Sequence, residues 1–113
     1  MARVLALAPD LFFASKIKET LTAAGHEVQL TSSVEDTVAS ANGVDIVIVD
    51  LHAEGLDPAG MAPSLGGKPL LGFYSHVDAE TREQAEGAGF NLVVPRSRMA
   101  REMPTLVAKV LSG

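Results

Sequence analysis

The chain has no cysteine and no tryptophan. Without cysteine there is no disulfide framework, no thiolate metal site and no cysteine nucleophile, so stability must come from packing. One tyrosine and four phenylalanines leave too few aromatic faces for a platform that stacks single-stranded bases. Positive charge is scarce as well: nine basic residues stand against fourteen acidic ones, a formal charge of −5. That balance is a poor start for gripping a phosphate backbone, and no nucleic-acid partner is expected. No run approaches the roughly 18 consecutive apolar residues of a membrane span, and the opening residues 1–8 lack the length and cleavage pattern of a signal peptide. A cytoplasmic protein with no membrane partner is expected. Gly-x-Ser-x-Gly elbows, phosphate-cradling glycine loops and His-Glu-x-x-His helices are missing too, so an independent enzyme is not expected.

What remains is a sequence built to fold. With 113 residues, of which 47% are hydrophobic and 20% charged, it can form one domain with its own core, spanning residues 1–113 with no effector domain attached. The most informative segment is Gly43, Val44, Asp45, Ile46, Val47, Ile48, Val49, Asp50. This apolar run is continuous and not alternating, which predicts a strand covered on both faces, as in a parallel sheet between helical layers. It ends on a carboxylate, and in such sheets ligands gather at the carboxyl ends of strands.

The rest of the chain alternates in the same style. Arg3 to Ala8 reads as a first strand stopped by Pro9, and Asp10 is placed to cap a helix carrying Phe13, Ile17, Leu21 and Ala24 on one face. Gly25 ends that helix, and Glu27 to Thr31 alternates as a shorter strand at the sheet edge. Ser33 and Asp36 resemble a capping box for a weak helix from Val34 to Ala41. The segment Leu51 to Lys68 contains four glycines and two prolines, which limits its helix to about Pro58 to Leu65. Pro69 to Tyr74 forms a fourth strand, Asp78 caps a polar helix over Ala79 to Ala88, and Asn91 to Val94 forms a fifth strand. The last helix is expected to start near Pro104, with residues 97–102 a turn or a short irregular helix. Its stripe is Leu106, Val107, Val110 and Leu111.

Five strands alternating with five helical segments imply right-handed crossovers and a three-layer, doubly wound α/β sheet of order 2-1-3-4-5. The switch point of that order lies between the first and third strands, where Asp10 and Asp50 are expected to approach each other.

At this level the whole chain resembles the receiver domain of bacterial two-component response regulators, the CheY-like fold. The resemblance rests on Val44 to Leu51, which is similar to the family's third strand and its acceptor acid, and on Asp57 seven residues further on. It rests also on Pro69, Leu70 and Leu71 opening the fourth strand, and on Glu86, Gly87, Ala88 and Gly89 before the fifth. It implies that Asp50 is the phosphoacceptor position of a phosphorelay. It also implies an acid pair after the first strand that holds Mg2+, a hydroxyl residue ending the fourth strand and a lysine ending the fifth.

Here the acid pair falls on Ala8 and Pro9, with Asp10 one residue later, so Asp10 and Asp50 are weak Mg2+ candidates. The hydroxyl position falls on Tyr74, with Ser75 next. The lysine position falls on Arg96 counting from Gly89, or on Val94 if prolines are aligned. The family's Met-Pro step after the acceptor is replaced by Ala53 and Glu54. This pattern is similar to pseudo-receiver domains. It implies a module acting by protein-protein interaction, phosphorylation-independent or weakly phosphorylatable, with a histidine kinase, an effector or a second copy as partner. The alternative is a conventional receiver in which Asp50 takes the phosphoryl group and Tyr74, Ser75 and Arg96 sense it.

Two further readings concern loops. Arg96, Arg98 and Arg101 concentrate three of the nine basic residues near the last helix and form either a partner-docking patch or a solvated face paired with Glu102. His52 and His76 lie beyond neighbouring strands and, with Asp50, offer a two-histidine, one-carboxylate metal or small-molecule site. The string Asp50, Leu51, His52, Ala53, Glu54, Gly55 is also similar to the Asp-x-His-x-x-Gly motif of cobalamin-binding domains. There the motif follows the first strand, whereas here it follows the third.

Overall fold

The computed structural model describes residues 2–75 and 79–113. Strands β1 (Arg3–Leu7), β2 (Glu27–Thr31), β3 (Ile46–Asp50), β4 (Leu70–Tyr74) and β5 (Leu92–Pro95) alternate with helices α1 (Leu11–Ala23), α2 (Val34–Ser40), α3 (Pro58–Ser64), α4 (Ala79–Gly87) and α5 (Arg96–Ser112). The sheet is parallel throughout, in the order β2-β1-β3-β4-β5. This is the doubly wound arrangement expected from the sequence, with β2 at one edge.

Alternation along the strands sends successive side chains to opposite faces and builds two cores. Ile46 and Ile48 of β3, with Leu71 and Phe73 of β4, join Phe13, Ile17 and Leu21 of α1 and Met103, Leu106 and Val107 of α5. Val47, Val49 and Leu70 face the other way, onto Met61 of α3 and Ala85 of α4. All five residues of β3 are buried, which explains why its sequence shows no polar alternation.

The helix termini follow local chemistry. Asp10 caps α1 by accepting hydrogen bonds from the Phe12 and Phe13 amides, and Gly25 takes a positive φ of 94° just beyond its end. Ser33 caps α2 through a 3.1 Å bond from the Asp36 amide. The expected cap Asp78 lies outside the described residues.

Four expectations are corrected. Leu111 does not join the apolar stripe of the last helix, since it is exposed while Leu106, Val107 and Val110 are buried. Ala24 does not join the buried face of α1, because it is the exposed C-cap, and Ala14 takes a place in the core instead. The fifth strand runs one residue later than expected: Asn91 stays outside it and bonds both backbone groups of Leu70, while Pro95 closes the strand. A proline is tolerated there because β5 is an edge strand. The last helix begins at Arg96 and not near Pro104. Its first segment buries Met99, the chain kinks at Glu102 (φ −122°, ψ 18°), and a second segment carries Pro104 in its first turn. Pro104 has no N–H for the carbonyl four residues back, so a single straight helix cannot pass through it.

Candidate functional site

The carboxyl ends of the strands gather most of the residues nominated above. The β1–β3 register pairs Leu7 with Val49, so one step further sets Ala8 level with Asp50. On the other side Asp50 lies level with Phe73, and Tyr74 lies level with Pro95. Asp50 itself is 9% exposed and, with Thr37, makes up the buried polar residues among those described. By strand alternation its side chain follows Ile46 and Ile48 toward the α1 and α5 side. Its Oδ1 accepts the His52 amide at 2.9 Å, a tight turn that turns the chain off the end of β3.

Asp10 stands two residues beyond Ala8, at the start of α1. Both of its oxygens are engaged: Oδ1 accepts from the Phe12 amide at 2.9 Å and the Phe13 amide at 3.3 Å, and Oδ2 accepts from Arg96 Nη2 at 2.7 Å. The Arg96 hydrogen bond is the main reason its carboxyl lies below the ordinary carboxylate range, followed by the Phe13 amide, while desolvation pushes the other way. Arg96 is fixed from below as well. Its guanidinium lies 4.3 Å from the centre of the Phe13 ring, which in turn sits 4.9 Å from the Phe73 ring in a tilted contact. A continuous stack therefore runs from the sheet through Phe73 and Phe13 to Arg96 and ends on Asp10.

The sequence brought Asp10 and Asp50 to the same edge, and the structure agrees on the edge while giving the two carboxylates different partners. Tyr74 ends β4 as expected for the hydroxyl position and packs, half-buried, on the α3 and α4 side; Ser75 beyond it is exposed. The residue that ends β5 is Pro95, between the two positions that sequence comparison left open for the lysine, and Arg96 is the first residue of α5. Arg98 and Arg101 both approach Glu102, at 3.4 and 3.7 Å, so their charge is shared locally, and Arg101 keeps 69% of its side chain exposed. His52 is exposed, and His76 lies outside the described residues.

The residues present are a poor fit for a magnesium shell: the positions that the resemblance assigns to the acid pair hold Ala8 and Pro9, Asp10 already accepts from two amides and a guanidinium, and no cluster of three metal-ligating side chains occurs among the described residues.

Two exposed apolar residues beside Asp10 escaped sequence reasoning. Leu11 and Phe12 are 78% and 91% exposed at the first turn of α1, directly beside the capping Asp10. The signal was present in Leu11, Phe12, Phe13, since a helix can turn only one of three consecutive residues squarely into its core. Leu11 also lines a groove of about 460 Å³ that runs along Ala8, Thr31 and Ala39 between α1 and α2. No helix among the described residues is long and apolar enough to cross a membrane.

Comparison with solved structures places this architecture. The chain is similar to the chemotaxis response regulator CheY4 of Vibrio cholerae, with a TM-score of 0.84 and 18% identity, over 98% of this chain and 99% of that one. It is similar to the non-phosphorylated HemR receiver domain from Leptospira biflexa, with a TM-score of 0.85 and 19% identity over 100% and 96%. A CheY-like response regulator receiver domain protein from Methanospirillum hungatei aligns with a TM-score of 0.87 and 14% identity over 99% and 94%. No protein-family model matches the sequence, and no curated protein matches it. The chain therefore has the fold of CheY-like receiver domains, as the sequence resemblance implied.

Proposed function

We propose that this chain is a cytoplasmic signalling module of receiver type that acts through protein contacts at the carboxyl edge of its sheet, without a metal-dependent phosphoryl cycle. The observation that carries this reading is the commitment of Asp10. Asp10 already accepts three hydrogen bonds, and Ala8 and Pro9 add no anionic ligand beside Asp50. An acyl phosphate at Asp50 would lack the cation that normally offsets its charge. The contact surface is formed by Leu11 and Phe12 on α1 together with the basic rim of Arg96, Arg98 and Arg101 at the start of α5, both at the same edge. Exposed apolar side chains ringed by charge are a common form of docking patch.

A second reading keeps phosphotransfer, and one observation favours it: Asp50 ends the central strand as a mostly buried carboxylate with one oxygen positioned by a backbone amide. In that case Asp50 takes the phosphoryl group, Arg96 leaves Asp10 to meet it, and Tyr74 or Ser75 responds. Backbone amides of the full chain, followed by NMR during titration with beryllium fluoride and Mg2+, separate the two. Metal-free signalling predicts no change that disappears in Asp50→Ala. Saturable shifts at Leu51, His52 and Arg96 that vanish in Asp50→Ala establish phosphotransfer instead.

A further inference from the structure

We propose that Arg96 is the resident cation of this edge, a side chain that supplies the positive charge a divalent metal would supply and, by supplying it, keeps metals out. This rests on the metal-free reading above and adds its cause. Pro9 and Ala8 explain why ligands are few; they do not explain why Asp10 and Asp50, two carboxylates at one edge, should not attract a cation together. Arg96 does. Its guanidinium touches Asp10 Oδ2 at 2.7 Å, and its side chain is only 30% exposed.

It is also held in place. Phe13, itself 7% exposed, lies against the guanidinium at 4.3 Å and rests on the buried Phe73. A surface arginine usually loses much of its Coulomb gain to side-chain freedom, whereas a stacked one has already given up that freedom to packing. An arginine also keeps its charge at every accessible pH, so one of the two carboxylates at this edge is offset permanently and not in proportion to free metal. A divalent ion would have to displace the guanidinium, take an oxygen from the helix cap and then sit beside a fixed positive charge. The same role has no local sequence signature, because Asp10 and Arg96 are 86 residues apart and meet only through the placement of α1 and α5 on one face.

The test is Mn2+ binding to the full chain, read as paramagnetic broadening of the Phe12, Phe13, Leu51 and His52 amides. Wild type and Arg96→Lys, which keeps the charge, should show no site-specific broadening at this edge. Arg96→Gln should bind Mn2+ at least roughly tenfold more tightly, the scale of one neighbouring charge on a carboxylate equilibrium, and lose the gain when Asp50→Ala is added. A folded Arg96→Gln that behaves as wild type, or an Arg96→Lys that gains binding equally, overturns the inference while leaving the metal-free reading intact. Wild-type broadening that depends on Asp50 overturns both. Should Arg96→Gln fail to fold, Pro9→Asp restores an acid with Arg96 in place: silence supports the resident cation, and Asp50-dependent binding refutes it.

Discussion

Phe12 and Phe13 are adjacent copies of one residue, yet their replacement should have opposite consequences. Phe13 is 7% exposed and is the middle layer between the Phe73 ring, 4.9 Å away, and the Arg96 guanidinium, 4.3 Å away. Truncating a buried phenylalanine to alanine costs about 3–5 kcal/mol in lost transfer energy and cavity. The value here should fall near the upper end, because the aromatic contact is worth about 0.5–1.5 kcal/mol and a partly exposed cation–π contact about 1 kcal/mol. A loss of about 4–5 kcal/mol is a large share of the 5–15 kcal/mol that stabilises a typical domain, and it corresponds to a melting point lower by roughly 15–20 °C. Phe12, 91% exposed, has almost no packing to lose, so Phe12→Ser should change stability by no more than about 0.5 kcal/mol. Urea denaturation followed by circular dichroism measures both variants, with equal m-values expected for Phe12→Ser and wild type. If the two variants differ by less than about 1 kcal/mol, the assignment of one ring to the core and the other to a contact surface is wrong. A loss of partner binding in Phe12→Ser without loss of stability is the matching functional result.

Asp10 provides a pH test. Its folded carboxyl titrates below its unfolded value, so its contribution to stability is present above the unfolded value and is lost as pH falls through the lower folded value. An NMR titration of the Asp10 side chain should show its midpoint rising toward the ordinary range in Arg96→Gln; an unchanged midpoint contradicts the main cause assigned to the shift. Thr37 is fully buried, its hydroxyl donating to the Ser33 carbonyl at 2.7 Å and lying 2.6 Å from the Thr31 hydroxyl. Thr37→Val should cost about 1–2 kcal/mol by stripping partners from these groups, measured by the same denaturation assay, and a neutral result would show that the hydroxyl contributes nothing net.

Much of the scaffold could be read from local pattern because β3 and the α1 stripe are decided by hydrophobic periodicity. A strand of five buried residues has no polar alternation to confuse, and Phe13, Ile17 and Leu21 repeat at helical spacing. Asp50 followed directly, since the end of an apolar run is a local feature. The start of α5 was obscured for the opposite reason: Arg96, Arg98, Arg101 and Glu102 dominate its first segment and hide the single buried Met99, while Pro104 resembles a helix start because it begins the second segment. The partner of Arg96 was harder still. The sequence already set Arg98 and Arg101 within reach of Glu102, but only tertiary placement takes Arg96 to Asp10. Leu11 and Phe12 were legible in principle, as an apolar surplus that a 3.6-residue repeat cannot bury.

On the proposed reading, Asp50 lies at an acceptor position on an edge whose cation is Arg96, paired to Asp10 at 2.7 Å. Intact-mass measurement of the full chain incubated with acetyl phosphate and Mg2+, with Asp50→Ala alongside, tests it most directly. Metal-free signalling predicts that each protein keeps its own unmodified mass. A gain of one phosphoryl group in wild type that is absent from Asp50→Ala would contradict it.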